Sequence, residues 1–144
     1  MAALVAENAV FLVVGAHAVG VHGVPRATGD LDILIRPDAE NGKRVWRALV
    51  QFGAPVEVTG LTPTDLEKPD MVYQIGLPPR RIDILTEISG VDFEEAWSSR
   101  VTSRVGDLEI PFIGKDALLR NKRASGRPKD LADIDILERR EPSE

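Results

Sequence analysis

Three aspartates are the residues of this sequence best suited to chemistry: Asp30, Asp32 and Asp83. The first two stand two apart in the string Asp30-Leu31-Asp32-Ile33. On a strand, residues i and i+2 point to one face, about 6.5 to 7 Å apart along the chain. Carboxylates that close repel, so one of them keeps its proton unless a cation neutralises the pair. Asp83 lies between Ile82 and Ile84, an expensive place for a lone charge unless it faces a metal or a basic partner such as Arg80 or Arg81. The chain of 144 residues has no cysteine and two histidines. Disulfides, thiolate nucleophiles and thiolate zinc sites are thereby excluded, and any metal must sit on oxygen ligands, which suit Mg²⁺ or Mn²⁺.

A second candidate feature precedes these acids. Gly15-Ala16 follows an apolar run and opens a small-residue stretch, so backbone N–H groups there are placed to receive a phosphate. The string Gly15 to Gly20 has the glycine spacing of a P-loop, but Val21 and His22 stand where lysine and a hydroxyl residue belong. Phosphates also need cations. The formal charge is -5, yet residues 115–130 carry six basic and two acidic groups. Lys122, Arg127 and Lys129 belong to that basic island, and Arg26 with Thr28 stands in the loop before Asp30.

These residues need elements to hold them. The pattern predicts a short helix over residues 2–8, a buried strand over 10–14, a short helix over 16–21 and a loop over 24–29. A strand over 30–36 would carry Asp30 and Asp32. A helix capped by Asp38 runs to residue 52, with Val45, Trp46, Leu49 and Val50 on one stripe and Gly53 as its stop. Residues 55–70 are mixed and proline-containing. Strands over 71–77 and 81–86 flank a Pro78-Pro79 turn, and residues 92–98 form a short helix. A hairpin over 101–105 and 108–113 turns at Gly106-Asp107, and helices over 115–124 and 128–139 close the chain. The expected architecture is α+β: one mixed β-sheet covered by helices, with a late β-hairpin and two C-terminal helices, in a single domain over 1–144. With no apolar run near the roughly 18 to 20 residues of a membrane span and no signal-peptide pattern, a soluble cytoplasmic protein is expected.

Together, Val14-Gly15-Ala16, then Asp30-Leu31-Asp32-Ile33, then Ile82-Asp83-Ile84 resemble the nucleotidyltransferase superfamily typified by DNA polymerase β. Its pattern is an apolar residue and a glycine pair, a spacer, acid-apolar-acid-apolar, and a third acid on a later strand. A narrower likeness is to small prokaryotic AbiEii-like proteins, through His22-Gly23-Val24-Pro25-Arg26-Ala27-Thr28-Gly29-Asp30-Leu31-Asp32 and through Lys122 with Arg127-Pro128-Lys129-Asp130. Some of that group are toxins of toxin–antitoxin pairs. The resemblance implies that Asp30, Asp32 and Asp83 are both catalytic and metal-binding, holding Mg²⁺ or Mn²⁺. It implies that Gly15, Ala16, Arg26, Thr28, Lys122, Arg127 and Lys129 hold the phosphates of an NTP such as ATP. The implied reaction moves an NMP to an acceptor hydroxyl on RNA such as tRNA, on protein or on a small molecule, and an antitoxin partner is implied by the narrower likeness. Ala16 departs from the usual glycine or serine and offers no hydroxyl, a loss of about 1.5 to 3 kcal/mol for a bond to a charged group. The rival reading is therefore a catalytically degenerate member that binds a protein or RNA.

Overall fold

The computed structural model describes residues 1–23, 30–77 and 80–139. The 24–29 loop, with Arg26 and Thr28, and the Pro78-Pro79 turn lie outside the described residues. Helix α1 (Ala2–Ala6) leads into strand β1 (Phe11–Val14), α2 (Gly15–Val21), β2 (Leu31–Ile35) and the long α3 (Ala39–Phe52). A single turn α4 (Val56–Thr59) and a 3-10 turn (Pro63–Glu67) then precede β3 (Val72–Ile75) and β4 (Ile82–Leu85). The chain ends with α5 (Phe93–Ser98), the hairpin β5 (Val101–Val105) and β6 (Leu108–Phe112), and helices α6 (Lys115–Ser125) and α7 (Pro128–Arg139). The strands form one mixed sheet in the order β3-β4-β2-β1-β6-β5, so the fold is the α+β arrangement expected from the sequence. Among the described residues, no helix is long and apolar enough to cross a membrane.

Apart from Asp32 and Asp83, the central strands β1, β2 and β4 are apolar because both faces of the sheet are covered. Leu12, Val13, Leu34, Ile35 and Ile84 are all buried, which is how continuous apolar runs are read when helices pack on both sides. Helix α3 begins where Asp38 accepts a hydrogen bond from the Asn41 N–H at 2.7 Å, and ends at Gly53 with φ of 91°, as its caps predict. Its buried stripe differs from the expected one. Val50 is exposed and Trp46 half-buried, while Asn41, Gly42 and Ala48 join Val45 and Leu49 in the interior. Gly42 faces the 3-10 turn, whose Pro63 carbonyl would stand 2.9 Å from a Cβ at residue 42, while Trp46 Nε1 donates to Leu61 O at 3.1 Å.

Two polar side chains lock the layers. Buried Asn41 accepts from the Val10 N–H at 2.7 Å and donates to the Val10 and Arg36 carbonyls, both at 2.9 Å, pinning α3 to the start of β1 and the end of β2. A ring nitrogen of His22 meets the Ile113 carbonyl at 2.8 Å, tying the end of α2 to the segment after β6. Replacing Asn41 by alanine removes all three bonds and leaves the Val10 N–H unpaired, while the Val10 and Arg36 carbonyls keep the N–H groups of Arg36 and Asp38, so Asn41→Ala is expected to lower the unfolding free energy by about 1 to 3 kcal/mol, read from urea denaturation at unchanged m-value.

Candidate active site

The register of the sheet brings the three acids together. Strand β2 runs parallel to β4 with Asp32 beside Asp83, and antiparallel to β1 with Asp32 beside Val14. Neighbouring strands lie about 4.8 Å apart. Asp30 precedes β2 on the same face as Asp32, and Arg81 precedes β4 on the same face as Asp83, so three carboxylates and one guanidinium occupy a two-by-two patch. Arg81 binds Asp83 through both ends of its fork, Nε to Oδ1 at 2.9 Å and Nη2 to Oδ2 at 3.2 Å. The backbone N–H of Arg81 also donates to Asp30 Oδ1 at 3.1 Å, and its carbonyl accepts from the Leu31 N–H at 2.9 Å. Sequence reasoning offered Arg81 only as a structural partner of Asp83. In the structure it joins two of the acids.

Asp32 and Asp83 are hydrogen-bonded to each other, and the Asp32 pKa is raised. Burial contributes most to the rise, the charge and hydrogen bond of Asp83 follow, and Asp30 adds to it while Arg81 opposes it. Burial and the neighbouring carboxylates thus favour the protonated form of Asp32. The donor set is hard oxygen throughout, and Asp30, Asp32 and Asp83 are the residues able to hold a divalent cation. Among the described residues, no three acids or histidines already stand in a cation-binding arrangement; Asp83 is instead committed to Arg81.

Gly15 is the counterpart on β1. It has φ of 69°, and a Cβ built there would overlap the Asp32 carboxylate. Only glycine lets the chain turn from β1 into α2 this close to an acid. Ala16 is half-buried in the first turn of α2.

A cleft of about 480 Å³ opens beside this patch. Val14, Gly15, Asp32 and Leu85 form one side of it, and Lys122 and Arg127 stand on another. Asp70 and Glu87, also in its walls, were not anticipated from sequence, since neither sits in a motif. The structure divides the expected basic contacts. Arg127 is exposed on the cleft wall and holds Asp130; its guanidinium pKa is raised by that bond and charge, and further by Asp32. Lys122 is buried against Asp130 and Asp133. Lys129 is exposed on the first turn of α7, outside the cleft lining. Trp97 stacks on Phe93 and lies under Arg100 at 3.9 Å, a packing role rather than an open platform.

Neither a protein-family model nor a curated protein matches the sequence. Solved structures do match the fold. The lincosamide antibiotic adenylyltransferase LnuA, in its lincomycin-bound crystal structure, superposes with a TM-score of 0.52 at 18% identity, covering 90% of this chain and 86% of that one. A Thermotoga maritima protein classed as a nucleotidyltransferase gives 0.51 at 14% identity, covering 90% and 80%. The fold is that of nucleotidyltransferases. Within it, the order glycine turn, paired acids, third acid follows β1, β2 and β4 of this chain.

Two outcomes follow from the patch. Because the folded chain holds the Asp32 proton more tightly than the unfolded chain does, ionising it costs stability, a loss that grows as pH rises from about 4 through the raised pKa. Asp32→Asn is expected to melt higher than the parent at pH 7 to 8 in EDTA, with the gap closing near pH 4, as read by thermal denaturation. Gly15→Ala is expected to lower the melting temperature at every pH, since it forces both an unfavourable φ and a displaced Asp32.

Proposed function

We propose that this chain is a metal-dependent nucleotidyltransferase that moves an NMP from an NTP to an acceptor hydroxyl. The single observation that carries the reading is the pairing of Asp32 with Asp83 on adjacent strands, facing the Gly15 turn. Spending burial and like-charge repulsion on two acids in the middle of a sheet makes sense where a cation and a polyphosphate are to be gathered.

Asp30, Asp32 and Asp83 would hold Mg²⁺ or Mn²⁺, which when bound neutralises charge on the phosphates and polarises the α-phosphorus. The protein does the rest. Arg127 at the cleft wall meets the polyphosphate, with Arg26 and Thr28 assigned to the same task from their place in the sequence and Lys129 as an outer cation. The first-turn amides at Gly15 and Ala16 face the phosphates in place of a hydroxyl. Arg81 orients Asp83 through its two-point contact, and Asp83 takes the proton as the acceptor oxygen bonds to the α-phosphorus and the bond to pyrophosphate breaks. The cleft supports an acceptor held beside Asp32. LnuA binds lincomycin, so a small-molecule hydroxyl is one acceptor class to test beside tRNA and protein. The AbiEii-like strings around His22 to Asp32 and Arg127 to Asp130 further support a toxin–antitoxin setting, with the whole chain acting as one cytoplasmic domain.

The deciding experiment incubates the protein and Mg²⁺ or Mn²⁺ with each α-³²P-labelled NTP, together with total RNA, protein or small-molecule pools. The expected result is a labelled acceptor, with pyrophosphate released, and a loss of at least about 100-fold in labelling for Asp32→Asn. Absence of label together with absence of NTP binding by calorimetry overturns the reading. A partner that copurifies equally with Asp30→Asn/Asp32→Asn would favour the non-catalytic alternative, to which Ala16 lends support.

A further inference from the structure

The cleft wall on the α6–α7 side holds buried charges that the proposed chemistry leaves unused. Lys122 is 5% exposed, Asp130 1% and Asp133 2%. The Lys122 ammonium donates to Asp133 Oδ2 at 2.9 Å and to Asp130 Oδ1 at 3.4 Å. Asp130 in turn accepts from Arg127, Nε to Oδ2 at 2.8 Å and Nη2 to Oδ1 at 3.4 Å. Lys122, Arg127 and Asp130 all line the cleft, but among them only the Arg127 side chain is widely open to solvent, at 68% exposed on the wall shared with Asp32.

Lys122 and Arg127 therefore do different things, although their place in one basic segment suggests equal phosphate contacts. An ammonium and two carboxylates taken this far from water carry a large desolvation cost, and apolar residues of the same volume would hold α6 to α7 at least as well. What the charged version adds is direction. Asp130 sits in the first turn of α7, where the helix dipole favours its negative charge, and engages the Nε edge of a planar fork that has only one way to meet a carboxylate squarely. The Nη1 hydrogens are not used by Asp130.

We propose that Lys122, with Asp133, is a positioning residue that fixes the Asp130 carboxylate, so that Asp130 aims the Arg127 guanidinium into the cleft as the cation for the polyphosphate group. This assignment rests on the nucleotidyl-transfer reading. It separates from a plain charge effect, because removing the Asp130 carboxylate makes the wall more positive. Simple Coulomb attraction then predicts tighter anion binding, whereas loss of aim predicts weaker binding.

The test is calorimetric binding of Mg²⁺–tripolyphosphate at fixed ionic strength. The proteins are the parent, Asp130→Ala, Lys122→Met/Asp133→Asn, and each of the two variants combined with Arg127→Lys. Asp130→Ala keeps the Lys122–Asp133 pair and the double variant keeps the Arg127–Asp130 pair, and thermal melts verify the folded state. Each variant is expected to weaken binding about 10-fold with arginine at 127, and less than about 2-fold when combined with Arg127→Lys. Unchanged or tighter binding by Asp130→Ala overturns the proposal. So does a loss from Lys122→Met/Asp133→Asn that persists undiminished with Arg127→Lys, which makes Lys122 a direct phosphate contact. If the parent binds neither tripolyphosphate nor any NTP, nucleotidyl transfer itself falls and this assignment with it; if the parent binds, only the assignment is at stake.

Discussion

Everything around the cleft accommodates one unfavourable contact, the meeting of Asp32 and Asp83 on adjacent parallel strands. The repulsion is distributed over three devices. The raised pKa of Asp32 favours its neutral form, the Arg81 fork compensates Asp83, and the Arg81 backbone N–H satisfies Asp30. Gly15 gives way sterically, leaving the Asp32 carboxylate room that any side chain would take. Each device is reversible or small.

The second tier of charge lies in the cleft wall on the α6–α7 side. Asp130 has its pKa lowered although burial pushes the other way, because the bond and charge of Arg127, with Lys122 behind, outweigh desolvation. The two charge systems differ in sign and purpose: Asp32 and Asp83 hold an excess of negative charge, while Lys122, Asp130 and Asp133 are mutually paired and pass their order outward to Arg127. In the proposed chemistry the first gathers the cation and the second the anion.

Much of this was legible in the sequence because the signals are local. Asp38 and Gly53 mark the ends of α3, Gly106-Asp107 marks the hairpin, and alternation about Asp83 marks β4. The acid-apolar-acid string placed Asp30 and Asp32 on one face before any strand pairing was known. The segment 55–70 yielded less, although Thr62 and Asp65 there form a reciprocal capping box with Pro63 at the first position, a pattern readable from spacing alone. With Lys68 and Thr62 donating to it, the Asp65 carboxyl is held down to about 2. Tertiary facts were out of reach. Nothing local shows that Lys122 is buried while Arg127 is exposed, that Asn41 and Gly42 lie on the buried face of α3 and Val50 does not, or that Asp70 and Glu87 reach the same cleft.

The sheet order also bears on the time at which the site comes into being. Strand β1, fourth from one edge, pairs in parallel with β6 near the other end of the sequence, and Val13 meets Phe112. Residues 15, 32, 83 and 127 must all be present before the cleft exists, and such non-local pairings close slowly because the loop entropy is spent before the contacts repay it. During synthesis the Asp30–Asp32 strand therefore emerges long before Arg81 and longer still before Arg127. A growing chain carries its acids without Arg127 until α6 and α7 leave the ribosome, and it acquires the cleft only then.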